Sequence, residues 1–208
     1  MGESQLASQT IQSRQLNSIL KDLVDKRNYS FEIWTNKDQI WECTRKGSPG
    51  NFENFDYEGE GEGEANLIMA VNIGREQNQI LIGIAYVDQI TNQFGVSQFV
   101  DDDKLGNLES SMVQLGAKEV LIALNENKFP VKDIKNVFER CDVVLTEQKA
   151  ASFKTSNIEQ DLRRLLNADI HPTISTSELE MTLAMGSLSS LILYLELIND
   201  DTNHGSIF

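Results

Sequence analysis

The run from Ile80 to Val87, ILIGIAYV, has an apolar or small residue at every position. A strand laid along it turns Ile80, Ile82, Ile84 and Tyr86 to one side and Leu81, Gly83, Ala85 and Val87 to the other, and neither side suits water. Such a strand belongs inside a sheet with a layer of structure on each face, and the other segments must be placed around it. After a short polar connection, Thr91-Asn92-Gln93, the residues Phe94, Val96, Gln98 and Val100 alternate with Gly95, Ser97 and Phe99 as a hairpin partner. Upstream, Leu67, Met69, Val71 and Ile73 alternate with smaller or polar residues up to a turn at 74–78. Three antiparallel strands in sequence result.

The periodicity then changes. Leu105, Leu108, Met112 and Leu115 recur at spacings of three and four and end at Gly116, the pattern of a helix with a glycine C-cap, before a buried strand from Val120 to Leu124. Phe129-Pro130 introduces a second helix with Val131, Ile134, Val137 and Phe138 on its apolar face, and Val143 to Thr146 forms one more strand. Ser156-Asn157-Ile158-Glu159 has the form of a capping box opening a helix that turns Ile158, Leu162, Leu165 and Leu166 inward. His171-Pro172 ends that unit. Ser177 to Ile198 reads as one long helix, with Leu179, Leu183, Leu188, Leu191, Ile192 and Leu195 on its buried side, leaning outward toward an element that is missing. Right-handed crossovers would make the later strands parallel to the first. The fold class is therefore α/β, a ribonuclease H-like mixed sheet of three antiparallel strands followed by βαβ units and flanked by helices.

Ahead of this sheet, Gln5 to Arg27 carries Leu16, Ile19, Leu20, Leu23 and Val24 on one helical face, and Asn28 is placed to stop it. A hairpin follows, Tyr29 to Ile33 turning at Asn36 to Gln39 into Ile40 to Thr44, with Trp34 and Trp41 as a cross-strand aromatic pair. Regular structure is expected to break at 45–51, where Pro49 lacks an N–H and Gly50 tolerates positive φ. The stretch FENFDYEGEGEGE, 52–64, cannot bury enough apolar surface to offset its ordering entropy and reads as a mobile loop.

At 208 residues and 40% hydrophobic content the chain can build one ordinary domain with an appended element, or two small ones. Its formal charge of -14 argues against standalone nucleic-acid binding, which needs Lys and Arg to displace counterions from phosphate. Cys43 and Cys141 have no second ligand at zinc spacing, no apolar run approaches the roughly 18 residues of a membrane span, and no signal-peptide pattern opens the chain. A soluble intracellular protein without membrane contact is expected.

The sheet arrangement raises one catalytic alternative, a divalent-metal nuclease built from Asp88, Asp101, Asp102, Asp103, Glu109 and Asp142. Against it, the central strand has no interior carboxylate, and the Asp triplet precedes a helix whose dipole favours acids for structural reasons. His171 and His204 are the only histidines and lie in turn-like or terminal sequence, so no Ser-His or Cys-His arrangement is evident.

Ser48-Pro49-Gly50-Asn51, Ile82 through Asp88, Asn107-Leu108-Glu109 through Gln114-Leu115-Gly116-Ala117-Lys118-Glu119, Gln160-Asp161-Leu162-Arg163-Arg164-Leu165-Leu166 and Tyr194-Leu195-Glu196-Leu197 together resemble the connector domain of MutS-type mismatch-repair proteins. The likeness is greatest to the eukaryotic member common to both mismatch-recognition heterodimers. The resemblance implies a fragment: residues 1–15 as the link from a mismatch-binding domain, 16–170 as the connector and 177–208 as the start of a lever. It also implies a ribonuclease H-like fold without nuclease activity, no catalytic, cofactor or metal residues in the fragment, and ATP and Mg bound only by the full-length protein. A second MutS homologue and mismatched DNA would be partners of the full-length protein, in the nucleus. The family connector relays conformational change and contributes to docking of MutL-type partners, and its docking helix falls on Ser156 to Leu166. Gln160 and Asp161 occupy the matching positions, and Arg164 should share their solvent face if Ile158, Leu162 and Leu165 face the core.

Overall fold

The computed structural model describes residues 8–51, 67–88, 91, 93–125, 129–166 and 176–198. The Gly-Glu loop at 59–64, Asn92, His171 and His204 lie outside the described residues. The chain divides into two compact units, 1–59 and 60–208.

In the first unit, helix α1 (Ser13–Asp25) is followed by strands β1 (Phe31–Lys37) and β2 (Ile40–Gly47), which pair antiparallel. α1 begins at Ser13, since its apolar stripe starts only at Leu16 and Gln12 ahead of it is extended; the expected start near Gln5 lies outside the described residues. Asn28 ends the helical region in a left-handed conformation at φ 53, as placed. Asp38 and Gln39 both take positive φ in the hairpin turn, whose two-residue loop matches the right-handed twist of the strands. Trp34 stands opposite Cys43 and Trp41 opposite Asn36, after a register shift at Ile33/Trp34. The two indoles are therefore a diagonal cross-strand pair on one face of the hairpin. β2 also runs through Arg45 and Lys46 to Gly47, so the break starts later, at a tight turn in which Ser48 and Asn51 exchange backbone hydrogen bonds at 3.2 and 3.0 Å. Phe31 sits where a Cβ on Gly47 would lie, 2.3 Å from its ring, which holds the strand end closed.

The second unit is a three-layer α/β body. Its sheet contains β3 (Leu67–Glu76), β4 (Gln79–Asp88), β5 (Gln93–Asp101), β6 (Ala117–Ile122) and β7 (Val144–Glu147) in the order β5-β4-β3-β6-β7. β3, β4 and β5 are mutually antiparallel, while β6 and β7 join β3 in parallel. This is the ribonuclease H-like arrangement, three meandering strands and then two crossovers. Helices α2 (Gly106–Leu115) and α3 (Val131–Arg140) connect the last strands, and α4 (Ile158–Leu165), α5 (Thr176–Leu179) and α6 (Thr182–Tyr194) follow.

The two-sided character of β4 is met as its sequence demands. Ile80, Ile82 and Ile84 join Leu105, Leu108, Met112, Ile134, Val137 and Phe138 beneath α2 and α3. Ala85 and Val87 join Ile68, Ala70 and Leu121 against Ile158, Leu162, Met185, Leu188, Leu191 and Ile192 of α4 and α6. Gly116 ends α2 at φ 69, the left-handed cap its position announced.

Two helix ends differ from expectation. The Ser156–Glu159 capping box does not form: α4 starts at Ile158 without a side-chain cap, and the backbone carbonyls of Thr155 and Asn157 take the first N–H groups at 3.2 and 3.0 Å. The helix expected from Ser177 to Ile198 is two helices, interrupted at Glu180 and Met181. The break has a tertiary cause. Gln98 on β5 turns its Oε1 to the N–H groups of Leu183 and Ala184, at 2.9 and 3.4 Å, and so defines a new N-terminus at Thr182.

Nor does α6 lean away from the fold. It covers the sheet, with every residue from Ala184 to Ile192 buried. Small residues allow this. A Cβ on Gly83 would lie 2.2 Å from the Leu183 carbonyl carbon, and one on Gly186 would lie 2.7 Å from the Phe153 carbonyl oxygen. Ser187 Oγ donates to the Gly83 carbonyl at 2.9 Å, and near the other end of α6 Tyr194 OH donates to Oε1 of the fully buried Glu119, which also accepts from Thr146 Oγ1 at 2.5 Å.

Candidate partner-binding site

Helix α4 is short, and its one-sided composition decides what it shows to solvent. Ile158, Leu162 and Leu165 are buried and pack into the α6-side cluster. At about 100° per residue, Gln160 and Arg164 then fall on the opposite face only about 40° apart, and both are exposed. Asp161 lies about 60° from the buried stripe and is half-buried, a correction to the expectation that all three stand equally open. Arg163 reaches back one turn to Glu159, Nη2 to Oε1 at 2.7 Å, beside Gln160 and Arg164. Acids in the first turn and arginines in the last suit the helix dipole. The face thus offers an amide, a guanidinium and, at its margin, a carboxylate, a set suited to hydrogen bonds and ion pairs with another protein.

The carboxylates of the nuclease alternative are dispersed and employed in structure. Asp88 and Asp101 stand at opposite ends of β4, beside Gln93 and Ile80 respectively in the register, roughly 25 Å apart at the rise of a strand. Asp101 accepts the N–H groups of Asn107 and Leu108 at 3.0 and 2.9 Å, capping α2, and Asp102 accepts those of Lys104 and Gly106. Glu109 forms a two-pronged pair with Arg140 of α3, at 3.1 and 2.6 Å, and the guanidinium holds its carboxyl below the usual range. Asp142 is exposed in the left-handed turn after α3. Burial pushes the neighbouring Cys141 thiol up. Among the described residues no group of three or more His, Cys, Asp or Glu side chains could hold a metal ion. The structural reading of the Asp triplet ahead of α2 is met by the Asp101 and Asp102 caps, whereas sequence reasoning missed Gln98 and Glu119, whose partners are remote in sequence.

Against known proteins, the family model described as MutS domain II matches residues 66–207. The chain belongs to the MutS family. Its MutS domain II begins at β3 and includes the whole sheet with α2 to α6. The DNA mismatch repair protein Msh2 of Dictyostelium discoideum is 34% identical over 93% of this chain, and the MSH2 proteins of Arabidopsis thaliana and Zea mays are 30% and 29% identical over 99% and 88%. The chain spans about a fifth of the length of these relatives, 20–22%. Among solved structures, the fowlpox virus Holliday junction resolvase covers 62% of the chain and 99% of its own, at 15% identity and a TM-score of 0.38.

Proposed function

We propose that this chain is the noncatalytic connector of a longer mismatch-recognition protein, relaying conformational change between the mismatch-binding and ATPase regions and docking MutL-type partners through Gln160, Asp161 and Arg164. The observation that carries the reading is the MutS domain II match across the sheet unit, joined to the polar outer face of α4. The dispersal of Asp88, Asp101, Glu109 and Asp142 into caps, turns and an ion pair supports a noncatalytic role. The relatives named as mismatch repair proteins support the wider setting, in which the full-length protein pairs with a second MutS homologue on mismatched DNA in the nucleus and binds ATP and Mg through regions other than this one.

The test is binding of the purified chain to a MutL-type heterodimer, comparing wild type with the Gln160→Ala, Asp161→Arg double variant. Loss of binding by a variant that still unfolds cooperatively supports docking through α4. Undiminished binding by the double variant refutes it.

A further inference from the structure

Among the described residues, strand β5 forms the edge of the sheet, with no strand paired to its outer side. The two-residue turn at Gln77 and Asn78, both at positive φ, closes on the hydrogen-bonded pair Glu76 and Gln79. Alternation from that pair assigns Ile80, Ile82, Ile84, Tyr86 and Asp88 of β4 to the β5 side. Their partners Asp101, Phe99, Ser97, Gly95 and Gln93 therefore bond inward, and Phe94, Val96, Gln98 and Val100 present N–H and C=O outward. The Val100 carbonyl accepts Asn107 Nδ2 at 3.0 Å, which agrees with that phase. Among the described residues no backbone group bonds to the outward groups of Phe94, Val96 or Gln98.

Edge strands are ordinarily protected by Lys, Pro, a bulge or a cover, since an unpaired ladder invites another chain. From Gln93 to Val100 there is no charged residue and no Pro, and the register with β4 is unbroken. Both faces are filled, with the Tyr86 ring lying over Gly95 and Phe99 on the α2 side, and Phe94 and Val96 against the α6 cluster on the other.

We propose that this rim receives an antiparallel strand from a partner protein, an extended segment of alternating apolar residues flanked by Lys or Arg. Charge chooses this occupant over a second copy of the chain. Antiparallel pairing of two copies would bring the exposed Asp102 and Asp103 of each toward the Asp88 end of the other, in a chain of net charge -14. A segment with basic ends meets carboxylates at both ends of the rim. The added backbone ladder supplies affinity, and side chains beside Phe94 and Val96 supply selectivity. This surface is separate from α4 and does not depend on the docking role assigned there.

The experiment titrates the 15N-labelled chain with the synthetic peptide KKVTVSVKK and follows backbone amides by NMR. The expected result is shifts and slowed exchange centred on Phe94, Val96 and Gln98, with affinity falling as salt rises. The same peptide N-methylated on alternate amides facing β5 should bind at least roughly ten-fold more weakly, since its ladder bonds are gone. Val96→Pro removes an outward N–H together with part of the Val96 packing against the α6 cluster, so it should melt somewhat lower than wild type, remain folded and lose the peptide. Equal binding of the methylated and parent peptides, or shifts centred away from β5, overturns the proposal. Concentration-dependent dimerisation with Phe94 and Val96 protected in the absence of peptide also overturns it, and assigns the rim to a second copy.

Discussion

Gly83→Ala is the sharpest probe of the contact between α6 and the sheet. Gly83 does not occupy the left-handed region, so an alanine is compatible with its backbone, and the only loss is steric, set against a gain of about 0.4–1 kcal/mol from a less flexible unfolded chain. The added Cβ would stand 2.2 Å from the carbonyl carbon of Leu183, 2.3 Å from the nitrogen of Ala184 and 2.5 Å from the Leu183 Cβ. Carbon atoms rest at about 3.5–4.0 Å, so the first turn of α6 must withdraw by more than about 1 Å, and main chain cannot swing aside as a side-chain tip can. Overpacking of this kind costs about 1–3 kcal/mol. Withdrawal also stretches the Ser187 to Gly83 hydrogen bond, a further loss of about 1 kcal/mol. Less the unfolded-chain gain, the net loss is about 1–3.5 kcal/mol, or a fall in melting temperature of roughly 2–14 °C for a protein of this size. Urea unfolding followed by far-ultraviolet circular dichroism measures it, with Ser187→Ala as the control that loses the hydroxyl alone. A Gly83→Ala protein within about 0.5 kcal/mol of wild type would refute the seating of α6 on β4.

Asp101→Ala removes the acceptor for the Asn107 and Leu108 N–H groups and should cost about 1–2 kcal/mol, read from the urea midpoint. Glu119→Leu strands the hydroxyls of Thr146 and Tyr194 and should destabilise by at least about 2 kcal/mol, with Glu119→Gln, which keeps an acceptor oxygen, clearly milder. Arg140 lowers the Glu109 pKa, so their pairing stabilises the fold above the unfolded carboxyl value of about 4.3 and is lost as pH falls through the lower folded value. The stability gap between wild type and Arg140→Gln should therefore be constant from neutrality to about pH 5, narrow below about pH 4 and shrink in about 1 M salt. The Gln160→Ala, Asp161→Arg pair puts a cation in the first turn of α4 at a half-buried position, so it should lose about 1 kcal/mol and still unfold cooperatively as a folded protein, whatever happens to partner binding.

The sheet was legible because its signals are local and repeated. The doubly apolar β4, the alternation in β3 and β5, and the Gly116 stop after α2 each state their own structure within a few residues. What escaped was set by partners far along the chain. Gln98 caps a helix from a separation of 85 residues, so the break between α5 and α6 leaves no nearby mark. Ala184, Gly186, Ser187 and Ser190 looked like the outer side of an amphipathic helix, yet they are buried because small side chains let α6 approach the sheet closely. Serine and glutamate at 156 and 159 satisfied the capping-box spacing, but the helix takes Asn157 as its N-cap, one residue later, and the spacing no longer fits its end. On α4, helical phase correctly foretold the exposure of Gln160 and Arg164 and was too coarse for Asp161, which sits at the margin of the buried stripe.

The late position of α6 has a consequence for biosynthesis. The last strand of the sheet ends at Glu147, and Ser187 reaches Gly83 across 104 residues, so a ribosome finishes the sheet well before it delivers the lid. At about 5–20 residues per second that interval lasts some seconds, during which Ile68, Ala70, Ala85, Val87 and Leu121 form a greasy floor beside an unguarded β5 rim. The nascent chain is most exposed to misassociation in that window, and a premature stop ahead of Thr182 would make the window permanent.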